Sequence, residues 1–285
     1  MKKLIRKHLL DFVIILMFVV GLSVLLYPSV SSYINAKHAS RAIMRYSEAT
    51  DNASDELIAE LLRVAEDYNR ALSGDRSAFY LPDLVNGYES ALDITGTGIM
   101  GYIDIGKIGV QLPIYHGVDP AVLQVGVGHL EGTSLPVGGK STHCVLSGHR
   151  GLPSARLFTD LDKMEVGDTF TVTVLRQTLI YQVDQVKVVL PSESQDLQIE
   201  NGRDYCTLLT CTPYGINSHR LLVRGVRIRQ ITDDPRLSVP NEAFRIDPLI
   251  VMPVVAAPMF TVCMIVLLTN RRKWHNARRK KKEEK

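Results

Sequence analysis

Thr207-Leu208-Leu209-Thr210-Cys211 ends an apolar, β-prone run on a thiol, and Thr212-Pro213-Tyr214-Gly215 follows with the proline and glycine of a strand end and turn. The run therefore predicts a strand whose last residue lies at the mouth of the fold. Working outward, Val145-Leu146-Ser147-Gly148-His149 is a second such run, ending on an imidazole before Arg150-Gly151. A third run, Arg220-Leu221-Leu222-Val223, opens on a guanidinium, with His219 beside it. Three strand ends then present the parts needed for acyl transfer through a thioester. A free thiol is mostly protonated near neutrality, so Cys211 needs a base or cation nearby. His149 supplies an acid/base group, and Arg220 a fixed charge for a developing oxyanion or a substrate backbone. Singly, each has a plainer reading: a buried strand cysteine, an ordinary histidine, a surface arginine in an ion pair. His38, His116, His129 and His143 lack an equally clear strand-end setting.

The surrounding chain is β-rich. Residues 102–105, 112–115, 144–149, 169–175, 179–190, 205–211 and 221–230 read as strands, many of them alternating apolar and polar side chains. So many short strands suggest a barrel rather than a parallel sheet. Short helices are expected at Asp119-Pro120, an N-cap followed by proline, and around residues 154–161. Before the strands, Leu57, Leu61, Ala65, Tyr68 and Leu72 recur at near-helical spacing, with Ser54 as N-cap. Residues 74–98 form a long, weakly periodic connector, and 233–247 a polar linker.

Both ends are apolar. Residues 12–27 and 249–268 carry no charge, and about 20 residues cross a hydrocarbon core. The first segment reads as an uncleaved anchor; its alternative, a cleaved signal peptide, has the basic flank but a poorly defined cleavage site near residues 29–32. Basic flanks, four residues before the first segment and nine after the second, keep both termini cytoplasmic and the middle outside. Setting those 13 aside from 33 basic residues, and three tail acids from 30, leaves 20 basic and 27 acidic residues, a net charge of about −7. The basic balance of the whole chain thus reflects membrane topology and lipid contact, not nucleic-acid binding. Cys263 reads as apolar filler in the second segment. Cys144, Cys206 and Cys211 are an odd set in the exported part, so at least one thiol is unpaired. Cys144 and Cys206 lie five residues before His149 and Cys211 and are neighbours if their strands pair, as two buried thiols or, alternatively, a disulfide.

Together these segments resemble the sortases, cysteine transpeptidases of Gram-positive bacteria. Thr207 to Cys211 matches their TLxTC signature, and Gly148-His149-Arg150-Gly151 and Asn217 to Gly225 match the histidine and arginine segments. His129 to Pro136 and Leu157-Phe158-Thr159-Asp160-Leu161 bring the resemblance closest to class C, the pilin-polymerising sortases, over roughly residues 54–230. It implies a mainly β fold, a closed eight-stranded barrel with short helices, an N-terminal helix and two transmembrane helices. The implied catalytic residues are Cys211, His149 and Arg220, with Thr210, Ser147 and Tyr214 as candidates for holding substrate. The implied substrate is a surface protein with an LPXTG-like signal, cut between Thr and Gly and passed as a thioacyl group to an amine. That amine is a pilin lysine in class C and a peptidoglycan precursor in housekeeping or accessory sortases; water is a slow acceptor. No cofactor is implied, and no carboxylate cluster suggests a metal. The expected divisions are a cytoplasmic tail (1–8), a span (9–27), a helical extracellular segment (28–99), the barrel (100–231), a linker (232–248), a second span (249–269) and a basic tail (270–285). Class C enzymes often carry a lid with an Asp-Pro-aromatic motif. None occurs in the connector, where Asp75 and Phe79 offer an acid and a ring at different spacing, so 74–86 reads either as a divergent lid or as an ordinary loop. A catalytically silent extracellular binding module is the non-enzymatic alternative.

Overall fold

The structure, a computed structural model, describes residues 2–74 and 76–228. Asp75, the linker, the second span and the basic C-terminal tail lie outside the described residues. The chain divides into two compact units, Met1–Tyr33 with Phe244–Lys285, and Ile34–Ala243.

The described part of the first unit is helical. It belongs to α1, Lys2–Asn52, which runs on past residue 27, the expected end of the span, with Pro28 inside it. No glycine or proline occurs from residue 29 to residue 52, so nothing in the sequence stops the helix there. Ile15–Asn52 contains a stretch long and apolar enough to cross a membrane, with a mean hydropathy of 1.9. Among the described residues it is the one such helix.

In the second unit the end of α1 buries Ala39, Ile43 and Tyr46. Tyr46 Oη donates to the Met100 carbonyl at 2.8 Å and accepts the Leu175 N–H at 2.7 Å. Burial pushes this hydroxyl's pKa up, so it stays a donor at physiological pH. Arg176 closes the helix end, donating to the carbonyls of Thr50, Asp51 and Ala53 at 3.3, 3.3 and 2.7 Å, where a cation also complements the dipole. The next helix, α2 (Asp55–Gly74), starts as expected: Ser54 Oγ accepts the Leu57 N–H at 3.2 Å. Its buried face carries Ala65, Tyr68 and Leu72 of the spacing read from the sequence, with Leu61 partly buried, but Leu57 is exposed and Ile58 is buried in its place.

Eight strands close into a barrel in the order β1-β2-β3-β4-β7-β8-β6-β5. They are β1 (Ile99–Ile105), β2 (Val110–His116), β3 (Val127–His129), β4 (Thr142–Ser147), β5 (Thr169–Val174), β6 (Gln177–Val189), β7 (Asp204–Thr212) and β8 (His219–Ile228). The expected barrel is therefore present, with two parallel contacts, β2 with β3 and β4 with β7, among antiparallel ones. Strand β5 shows the cause: Phe170, Val172 and Val174 point into the core and its threonines point out. The sequence reading missed β3, a three-residue strand too short to show a period. A helix, α3 (Pro120–Leu123), follows Asp119 as expected. The helix expected around 154–161 is absent: the segment is a chain of turns, with Leu157 at a φ of 39° and a 3-10 turn only at Leu161–Lys163. Its apolar residues face the barrel individually; Ala155, Leu157, Phe158 and Leu161 are all buried.

Candidate active site

Strand β7 sits between β4 and β8, so the three chemistry-bearing runs are neighbours. In the β7–β8 ladder Cys211 lies directly opposite Arg220. In the β4–β7 ladder Ser147 lies opposite Leu209, and the Gly148 N–H continues the ladder by donating to the Leu209 carbonyl at 3.0 Å. Two residues beyond each partner of the Ser147–Leu209 pair stand His149 and Cys211. Cys211 and Arg220 are thus level in the sheet, His149 lies in the turn two residues past the end of β4, and each of the three is half-buried. Alternation sets the face. Cys206 and Leu208 enter the barrel core, which leaves Leu209 and Cys211 on the outside; Leu221 and Val223 likewise leave Arg220 and Leu222 outside.

The chain leaves β4 in a way that holds His149. The His149 carbonyl accepts the Phe158 N–H at 3.1 Å. A Cβ on Gly148 would lie 2.6 Å from the Phe158 ring, so only glycine lets the turn approach it. Arg150, next in sequence, pairs with Asp162 and donates from Nη1 to Thr212 Oγ1 at 3.1 Å, tying the histidine turn to the residue after Cys211. Arg220 donates to the carbonyls of Asn217 and His219 at 3.2 and 3.1 Å, which directs its guanidinium along the β7–β8 turn.

A small apolar cluster lies one pleat below the trio. Leu209 and Leu222 stand two residues from Cys211 and Arg220, about 7 Å along their strands, and Val145 stands four residues from His149. Val145, Leu222, Val189 and Leu197 form the buried part, with Leu209, Leu130 and Phe79 packed against it. Sequence reasoning overlooked this floor; its signal was the period of two running back from each reactive residue.

The loop carrying Leu197 is held by His143. The His143 Nδ1 faces the Gln198 carbonyl at 2.9 Å and must donate, which leaves Nε2 to accept from Thr207 Oγ1 at 2.7 Å. Burial lowers the His143 pKa from 6.5 to about 4. The folded state thus binds this proton less tightly than the unfolded chain does. The associated stability is complete above about pH 6.5 and is lost as the pH falls through about 4. Melting curves between these pH values should show a shallower acid loss in His143→Gln than in the wild type; equal slopes would remove His143 from the account.

The sortase domain family model matches residues 103–228. The crystal structure of sortase C1 from Streptococcus agalactiae is similar at 49% identity and a TM-score of 0.61, over 66% of this chain and 98% of that one. This chain belongs to the sortase family. A Clostridium perfringens sortase C, solved with the C-terminal cell wall sorting motif, is similar at 46% identity and a TM-score of 0.60, over 67% of this chain and 100% of that one. Sortase D of Bacillus subtilis is 28% identical over 131 residues, 45% of this chain and 63% of that relative, so the match spans less than two thirds of it. Sortases are cysteine transpeptidases, and the solved structures resembled here are of class C.

Within the sortase fold the other candidate residues separate. Ser147 is half-buried on the outer face. Tyr214 is exposed, its ring against Gly151, where a Cβ would lie 2.8 Å away. Thr210 corrects the expectation of a substrate contact: it points into the core, 1% exposed, and its hydroxyl donates to the Gly148 carbonyl at 2.7 Å. It joins the two strand ends instead. Phe79 closes a 3-10 turn, Arg76–Phe79, and packs on the apolar floor. Cys144 and Cys206 are register partners, both buried and both free. Burial and the adjacent Cys144 push the Cys206 thiol's pKa up, which leaves half-buried Cys211 as the accessible sulfur of the three. Among the described residues no group of three His, Cys, Asp or Glu side chains is arranged to hold a metal.

Proposed function

We propose that this chain is a membrane-anchored pilin-assembling transpeptidase that cleaves an LPXTG-like signal between Thr and Gly. The observation that carries the reading is the Cys211–Arg220 pairing, with His149 in the turn that follows the adjoining strand β4. Cys211 gives its thiol proton to His149, its sulfur attacks the threonine carbonyl carbon, and Arg220 stabilises the oxyanion that forms. The carbon–nitrogen bond to glycine breaks, and His149 gives a proton to the departing amine. An acceptor amine then attacks the thioester, His149 takes its proton, and Cys211 leaves as the new amide forms. Similarity to class C sortases supports a pilin lysine as that amine. The apolar stretch of α1 supports an anchor, with the barrel on the extracellular side. The acceptor is tested by incubating the full chain in detergent with an LPXTG peptide and two competing amines. Amide formation with a lysine-bearing pilin peptide in preference to an oligoglycine supports pilin assembly; the reverse preference makes this an enzyme of wall attachment.

Residues 74–86 act as a lid in this reading. Phe79 rests on the floor that leads to Cys211, and Tyr80 and Ser194 join the segment to the loop above through a 3.2 Å hydroxyl contact. Phe79→Ala should speed modification of Cys211 by a charged thiol reagent by about tenfold, the worth of a modest apolar contact. An unchanged rate would make the segment an ordinary loop.

A further inference from the structure

A cavity of about 380 Å³ shares Phe79 and Leu197 with the apolar floor. Thr133, Ser141, Gln198 and Asn201 form its polar end. Ser141 and Asn201 stand just before the starts of β4 and β7, and Asp204 is seven residues back from Cys211, about 23 Å along an extended strand. The Gln198 side-chain nitrogen, at this end, has no hydrogen-bond partner among the described residues.

We propose that the polar end of this cavity is a subsite for the polypeptide immediately upstream of the sorting signal. The proposal rests on the transpeptidase reading. The acyl part of the substrate stays bound through both half-reactions, whereas the leaving peptide and the incoming amine must exchange. Exchange belongs at the open side, where Tyr214 and Ile216 are exposed beyond the strand ends. The retained segment then displaces Phe79 and runs the other way, over the floor and into the cavity. An extended chain covers about 23 Å in seven residues, so the four signal residues on the acyl side end well short of the polar end. The residues that reach Ser141, Gln198 and Asn201 are the three preceding the signal. The Ser141 hydroxyl is bonded to Asn201 and Gly202 and the Thr133 hydroxyl to Leu130, so the Gln198 amide nitrogen and the exposed Asn201 amide face a ligand there. Such amides suit the backbone carbonyls of a polar, extended segment rather than one particular side chain.

The test compares two peptides with the full chain in detergent: one beginning a single residue before the signal, the other with six polar residues before it. The longer peptide should acylate Cys211 with a KM about fivefold lower at unchanged kcat, the worth of one or two net hydrogen bonds. Asn201→Trp, a substitution at an exposed position that fills the polar end, should raise the KM of the longer peptide to that of the shorter and leave the shorter unaffected. Equal KM values for the two peptides in the unaltered protein would overturn the subsite, whatever the variant does. An equal loss on both peptides in Asn201→Trp would also overturn it. Failure of both peptides to acylate the unaltered protein would instead overturn the transpeptidase reading beneath it.

Discussion

Cys211→Ala abolishes thioester formation while leaving the barrel folded. Cys211 is half-buried on the outer face, where its side chain fills no core space, so its loss should leave the melting temperature within about 2 °C. The chemistry has no substitute. Cys144 and Cys206 lie inside the barrel, at most 3% exposed, and cannot meet a peptide carbonyl. Removing a nucleophile from a cooperating set costs about ten-thousandfold or more in rate. Intact mass after incubation with an LPXTG peptide should therefore show an adduct in the wild type and none in Cys211→Ala. Cys206→Ala is the contrasting control: the adduct persists and the protein loses about 1–2 kcal/mol of stability, because the change removes packed volume from the core. An adduct that survives in Cys211→Ala would end the assignment of the nucleophile.

Tyr46→Phe is expected to give the largest loss of stability from a single atom. The side chain is 1% exposed, and its hydroxyl sits between two backbone groups remote in sequence but on neighbouring strands, the Met100 carbonyl in β1 and the Leu175 N–H just after β5. Phenylalanine keeps the ring and strands both partners in an apolar surrounding where water cannot replace the oxygen. Each unsatisfied group costs about 1–3 kcal/mol, so the pair costs about 3 kcal/mol. In a unit of this size that lowers the melting temperature by roughly 6–12 °C. Met100 and Leu175 are themselves buried, so the loss should not be rescued by solvent. A change below about 2 °C would mean that the end of α1 contributes little to holding β1 and β5 together. Thioester formation by the folded fraction should be unchanged, since Tyr46 touches none of the reactive trio.

The local pattern of the chain was enough to locate the reactive groups and the barrel. Alternation of apolar and polar residues is written into each strand, and proline and glycine mark where strands end, so Cys211, His149 and Arg220 were legible as strand-end residues before any fold was known. Short-range signals failed where the decisive partner is remote. The three residues of β3 are a strand because β2 and β4 flank them. Residues 154–161 are turns because the barrel wall, not a helix face, receives their apolar side chains. Thr210 looked like a substrate contact beside Cys211, yet the pleat turns it inward to the Gly148 carbonyl. The sequence by itself determined which residues stand at strand ends as candidates for the chemistry. Only the tertiary structure decided that β4, β7 and β8 are adjacent, in a register that sets Cys211 opposite Arg220 and lays an apolar floor and a cavity behind them. Periodicity is a property of one segment, whereas register arises from the mutual fit of segments whose side chains must share one core.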